Sequence, residues 1–188
     1  MSHTNLARCR WCNLKNPLYV AYHDEEWGVP QHDDRKLFEL LLLEPFQAGL
    51  SWETILNKRE NFRPAFDNFN PDLIRHYDEA KIQSLMANPG IIRNRRKIDA
   101  AIQNADVFLK IQEEWGSFRA YIWHFTEGRT IYETDQTSSN LSDFVSADLK
   151  KRGMKFIGTT VVYSYLQAIG IINSHDRECY LYHKNPSG

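Results

Sequence analysis

The chain has 188 residues, enough for one domain or two tightly joined halves, and its 42% hydrophobic fraction supports a real core. Aromatics make up 13%, more than a small core needs, so some are available to line a pocket. A net charge of −1 excludes a global pull toward nucleic acid, and any such contact needs a local basic patch.

The three cysteines, Cys9, Cys12 and Cys179, are too few and odd in number for a secreted disulfide framework. Met1–Ala7 is polar without an apolar signal core, and no apolar run approaches the length of a membrane span. The expectation is a soluble cytoplasmic protein.

The pattern is helical nearly throughout, and the predicted fold class is all-α. Asp33 and Asp34 cap a buried helix through Leu37, Phe38 and Leu40–Leu43, which Pro45 is expected to end. Ser51 caps a helix with Trp52, Ile55, Leu56 and Phe62 on one stripe. Asn70-Pro71-Asp72 reads as N-cap, first-turn proline and first-turn acid. Asp78 opens a helix with Ile82, Leu85 and Met86 inward. After Asn88-Pro89-Gly90 comes a long helix whose stripe is Ile98, Ala101, Ile102, Ala105, Phe108 and Leu109. Gly116-Ser117 ends it and caps a helix over Phe118–Phe125. Gly128–Leu141 reads as a loop. Ser142 caps a helix that Gly153 closes, and Thr159 or Thr160 caps a last helix, Val161–Ile169, stopped by Gly170. Residues 1–188 form one domain, frayed at about 1–6 and 182–188.

Pro89-Gly90 makes a tight turn between two helices, and Gly90 is expected to supply a backbone shape other residues avoid. The next helix then presents free N–H groups, an anion site, beside Arg93, Arg95, Arg96 and Lys97. The arrangement resembles a helix-hairpin-helix, which grips DNA phosphate without reading sequence. The alternative is a solvated helix start. A second cluster, Lys150, Lys151, Arg152 and Lys155, precedes Gly158-Thr159-Thr160 and is open to the same two readings.

Tyr19 and Tyr22, Glu44 at a helix end, and Trp52 opening the next helix set aromatic faces beside a carboxylate. A carboxylate near the negative end of a helix is tolerable where a cation binds, and a flat cationic ring between aromatic faces gains ~0.5–2 kcal/mol per contact. The alternative is that the aromatics are core and Glu44 is surface.

Four collinear segments carry a family resemblance. They are Tyr19–His23 followed by Asp24-Glu25-Glu26-Trp27-Gly28-Val29-Pro30, then Gln47-Ala48-Gly49-Leu50-Ser51-Trp52, then Gly90-Ile91-Ile92-Arg93-Asn94-Arg95, and last Lys151–Thr160. Together, from Arg8 to Cys179, they resemble the bacterial type I 3-methyladenine DNA glycosylases of the helix-hairpin-helix superfamily. The resemblance implies a two-lobed helical fold that flips an alkylated adenine out of double-stranded DNA and cuts it from its sugar, acting as a monomer without strand cleavage. It implies Glu44, Tyr19, Tyr22 and Trp52 on the excised base, and Gly90, Arg93 and Arg95 on the backbone. Leu50 is the candidate plug for the gap the flipped base leaves. The family's glycine and glutamine after the glutamate are replaced by Pro45-Phe46, expected to stiffen the loop and make one pocket wall apolar.

Cys9, His23, His175 and Cys179 match a structural zinc site of the family. His175 and Cys179 are expected to share one helical turn, with Cys9 and His23 closing a tetrahedron from the other end, although four unrelated residues is the competing reading. Cys12 is expected to be a buried free thiol. No general base stands out; Asp148 and Asp176 are the nearest acids. The functional alternative is a non-catalytic DNA-binding module with the same hairpin and metal clip.

Overall fold

The computed structural model describes residues 6–182. Their helices are α1 (Pro17–Glu25), α2 (Asp34–Gln47), α3 (Trp52–Ala65), α4 (Pro71–Ile74), α5 (Glu79–Ala87), α6 (Arg95–Trp115), α7 (Phe118–His124), α8 (Asn140–Lys151) and α9 (Thr159–Ala168). A short 3-10 turn spans Asp67–Phe69. Inside the Gly128–Leu141 loop, β1 (Ile131–Tyr132) pairs in parallel with β2 (Ile172–Asn173). The expected all-α class therefore holds as a mostly helical fold with one two-residue strand pair. The fraying expected at the ends falls outside the described residues, apart from Leu6 and Tyr182. Tyr182 N–H donates to Cys179 O at 2.9 Å.

Most helix starts follow the side-chain caps written in the sequence. Asp33, Ser51, Asn70, Asp78 and Ser117 each accept a first-turn N–H of α2, α3, α4, α5 and α7. Asp34 does something else: its carboxylate accepts the Phe118 and Arg119 N–H groups, both at 2.8 Å, and so caps α7 from a distant helix. α8 starts at Ser139, not Ser142; Ser142 is the reciprocal partner of a capping box. α9 has Gly158 as N-cap and no side-chain cap.

Two expectations need correction. Pro45 does not end α2, which runs two residues further to Gln47. Phe46 is fully buried against Phe62 and Phe66, with ring centroids 5.1 and 5.8 Å apart, so it faces the core rather than forming a pocket wall. The segment Pro17–Glu25, read only as a source of pocket residues, is a helix.

The main core is built by α2, buried nearly all round, packed on α6 and α9. Burying one such aliphatic or aromatic side chain is worth about 1.5–3 kcal/mol. A second cluster joins Cys9, Tyr19, Tyr22, Trp27, Leu56 and Cys179. Arg59 binds α1 to α2 and α3: it bonds Glu39 at 2.7 Å and Glu26 at 2.8 Å, while Arg63 reaches Glu39 at 3.0 Å.

Gly170 closes α9 at a positive φ of 74°, and a Cβ there would lie 2.3 Å from the Val29 carbonyl carbon. Gly128 has a similar φ but nothing within 4 Å of such a carbon. Gly170→Ala should therefore cost at least ~2 kcal/mol, and Gly128→Ala about 1 kcal/mol. Urea unfolding checks this; equal losses would contradict the close approach of α9 to the Val29–Pro30 segment.

Candidate functional site

A cavity of about 370 Å³ opens between α1, the end of α2, the start of α3 and the loop around Asp135. Its volume is within the range of small-molecule sites, ~300–1,000 Å³. Tyr19, Tyr22, Glu44 and Trp52 all line it, so the four residues read from the sequence converge on one space. The Tyr22 and Trp52 rings stand 5.4 Å apart, and Trp11 lies 5.2 Å from Tyr19. Trp11, Trp27, Gln47, Ser164, Gln167 and Asp176 complete much of the wall. Of these, Asp176 stood among the candidate acids and Trp27 and Gln47 lie inside the family motifs, whereas Trp11, Ser164 and Gln167 were not singled out because nothing in their local spacing marks them. A larger groove of about 990 Å³ lined by the Gly128–Leu141 loop shares only Gln136 with this cavity.

Two residues of the cavity wall each hold a buried polar atom without a protein partner. Glu44 is 3% exposed and its Oε2 accepts no hydrogen bond; the Trp52 Nε1–H, also buried, donates none. Each unsatisfied buried group costs about 1–3 kcal/mol, so their coincidence in one cavity points to a ligand that supplies a donor and an acceptor. Burial alone pushes the Glu44 carboxyl up to about 8. The protein by itself therefore keeps Glu44 neutral at pH 7, whereas the sequence reading assumed a standing negative charge. Burial also pushes the Tyr19 hydroxyl up to about 12 and Tyr22 well above its ordinary value.

Beside the cavity, Cys9, His23, His175 and Cys179 are all buried, and their ligand atoms lie within 4.8 Å of one another. Cys9 Sγ is 3.4 Å from His175 Nδ1; Cys179 Sγ is 3.5 Å from His23 Nε2 and 3.6 Å from His175 Nδ1. Two ligands at ordinary metal–sulfur and metal–nitrogen lengths in a tetrahedron are ~3.6 Å apart, so the four could hold a metal ion. His23 turns its Nδ1 to Asp24 at 2.8 Å, and Arg8 fixes Asp24 at 2.7 Å. Burial works against the Asp24 charge, yet Arg8 and His23 hold its carboxyl down at about 2. The Asp176 and Leu181 N–H groups point at Cys9 Sγ and Cys179 Sγ. The expected helical turn between His175 and Cys179 is absent: the segment is a turn closed by Cys179 N–H on Asp176 O at 2.8 Å. Cys12 is a buried free thiol.

The hairpin between α5 and α6 differs in detail from its reading. Gly90 does not adopt positive φ; a Cβ there would sit 3.0 Å from Asn61 Cβ, so the residue is small because α3 passes close by. Its N–H is already taken by Asn88 Oδ1 at 2.8 Å. Arg95 is held by Glu79 and Asp99. Arg93 and Arg96 are exposed and make no ion pair among the described residues. Lys97 is buried. Leu50 stands 41% exposed in the α2–α3 loop. Asp148 is engaged by Tyr121 and Arg152 and does not line the cavity; Asp176 lines it but accepts the Arg10 backbone N–H at 2.7 Å and Arg10 Nε–H at 3.3 Å.

The fold and cavity can be set beside solved structures. A crystal structure of 3-methyladenine DNA glycosylase I matches with a TM-score of 0.90 at 45% identity, covering 94% of this chain and all of that one. A Staphylococcus aureus structure on 3-methyladenine recognition by the same kind of enzyme matches with a TM-score of 0.89 at 35% identity, covering 95% of this chain and 100% of that chain. The protein is thus of the helical DNA glycosylase class. DNA-3-methyladenine glycosylase 1 of Escherichia coli (strain K12) is 44% identical over 187 residues, covering 96% of this chain and 99% of that protein. The methyladenine glycosylase family model matches residues 11–183, and the chain belongs to that family.

The raised Glu44 has a consequence for stability. An acid whose folded value exceeds its ordinary 4.5 stabilises the fold fully below that value, and the contribution is lost as pH climbs toward about 8. Glu44→Gln should match the parent near pH 4.5, then gain on it by up to ~1.4 kcal/mol per pH unit until pH 8. Parallel urea-unfolding curves across that range would contradict a buried, uncompensated carboxyl.

Proposed function

We propose that this chain is a DNA-3-methyladenine glycosylase of base-excision repair, releasing the flipped base by hydrolysis without strand cleavage. The observation that carries the reading is the pair of unpartnered buried atoms, Glu44 Oε2 and Trp52 Nε1, on one aromatic-walled cavity. Methylation at N3 gives the adenine ring in DNA a positive charge. That charge makes the base a good leaving group and gives it a reason to seek this cavity. Extruding the nucleotide costs a few kcal/mol on the order typical of base-flipping enzymes. Tyr19, Tyr22 and Trp52 offer π faces to the cationic ring. Glu44 accepts from the exocyclic amine, and the adjacent ring charge brings its carboxyl down and makes the anion stable there. Neutral adenine supplies no such charge, so it gains nothing from ionising Glu44 and less from the π faces, and the cavity favours the lesion over the normal base. No lysine lines the cavity, in keeping with hydrolysis rather than an amine nucleophile.

The four-residue cluster is read as a structural zinc site. Cys9, His23, His175 and Cys179 form a closed Cys₂His₂ set with a carboxylate behind one histidine, and burial lowers the His23 imidazole into its neutral, ligating form while Asp24 opposes. Bound there, the ion would join the two ends of the chain and leave no open position for chemistry. A helix-hairpin-helix grip on double-stranded DNA, a monomeric state, two lobes within a single domain and a cytoplasmic setting go with this reading. No described helix is long and apolar enough to cross a membrane.

Single-turnover base release from N3-methylated DNA tests the pocket. Glu44→Gln and Trp52→Ala should each slow release at least about tenfold with duplex binding near normal. Release at the parent rate in both would mean the cavity is not the base site. For the hairpin, Arg93→Ala should weaken duplex binding and lower the salt slope by ~1, while Arg95→Ala, already ion-paired, should change little. The reverse order would move the phosphate contact to Arg95. Elemental analysis should find one zinc per chain, and chelation should lower the thermal midpoint. Native protein without zinc, equally stable in chelator, would overturn the clip.

A further inference from the structure

One member of the basic run Arg93–Lys97 does not face solvent. Lys97, the third residue of α6, is 7% exposed. Its Nζ donates to Phe46 O at 3.0 Å and to Ala48 O at 2.9 Å. The placement is unfavourable twice over. The ammonium loses hydration, and it sits at the positive end of its own helix. No carboxylate lies within ion-pair distance of it among the described residues.

What it gains is the opposite end of another helix. Phe46 and Ala48 carry carbonyls at the C-terminus of α2, where backbone donors run out. In a continuing helix the Leu50 N–H would serve Phe46 O, but it turns to Gln47 O at 2.7 Å. Lys97 supplies both missing donors. At Gly49 the loop is open: a Cβ there would meet nothing within 4 Å. Leu50 projects from this loop, and Ser51 then caps α3 at Trp52.

We infer that Lys97 is a positioning residue that moors the α2–α3 loop, with Leu50, to the first turn of α6, so that the hairpin's grip on DNA and the wedge at the flipped base are held in one register. The inference rests on the proposed roles of the hairpin and of Leu50. Lys97 touches neither substrate nor reacting atoms. It acts through the loop, which distinguishes it from Arg93 and Arg96 beside it.

The test is a double-mutant cycle of Lys97→Met with Leu50→Ala. Three properties are read: single-turnover base release from N3-methylated duplex, duplex affinity, and fluorescence of a 2-aminopurine beside the lesion as a report of base opening. Lys97→Met keeps the stem and removes both donors. It should slow base opening and release about tenfold at saturating protein with duplex affinity held within ~3-fold. In the Leu50→Ala background it should add less than ~2-fold, because the loop's load is already gone. Lys97→Arg, which can serve two carbonyls, should recover most of the rate. A Lys97→Met effect of equal size with and without Leu50 would show a merely structural lysine and overturn the inference, as would a parent-like rate in Lys97→Met. A parent-like rate in Leu50→Ala alone would instead remove the wedge reading beneath it. Should Lys97→Met not fold, Lys97→Gln, too short to reach both carbonyls, takes its place in the cycle with the same outcomes.

Discussion

The carboxyl of Glu44 is buried without a partner for one of its oxygens, and the arrangement around it follows from that. It stands near the end of α2, where the helix dipole is negative, and burial holds it neutral at pH 7. A fold optimised for stability alone would place an apolar residue there. On the proposed reading, the surrounding aromatic faces and the equally unpartnered Trp52 indole make the cost intelligible: a flat cation with an amine would complete the site. Specificity on that reading comes from an attraction that the lesion's charge supplies and the neutral base does not, which needs no contact with the methyl group itself.

The scaffold keeps this group dry and in register. α2 is clamped from three directions: by the Arg59 network toward α1 and α3, by Asp34 reaching across to cap α7, and by Lys97 at its C-terminal carbonyls. The Cys/His cluster fixes the segments that carry Trp11, Trp27 and Asp176 against α1, and therefore against Tyr19 and Tyr22. A structural ion there would act on the pocket only by holding its walls.

Much of this was legible in the sequence where a side chain acts on its own neighbours. Ser51, Asn70-Pro71-Asp72, Asp78 and Gly116-Ser117 announced their helix boundaries because caps are local chemistry. The four cavity residues were nameable through family motifs rather than through composition, which favoured a plain core. What stayed hidden depended on distant partners. α1 buries Tyr19, Tyr22 and His23 but exposes Leu18, so no single apolar stripe marks it. Lys97 looked like one more surface cation in a basic run. Pro45 looked like a stop, yet α2 continues past it, with Lys97 satisfying carbonyls at its end. Gly90 looked like a conformational glycine, while its reason is the passage of Asn61. The elements follow from local chemistry, and the tertiary contacts decide which charges of the basic run stay exposed.

The central claim is that Glu44 is protonated in the free protein at pH 7 and ionises when a methylated adenine occupies the cavity. Isotope-edited infrared spectroscopy of the carboxyl groups addresses this directly. The free protein should show a protonated-carboxyl stretch that is absent in Glu44→Gln, and that band should vanish when a duplex carrying an uncleavable N3-methylated adenine nucleotide, whose ring is cationic, is bound. A spectrum without that band at pH 7, or a band that persists unchanged with the base bound, would contradict the account.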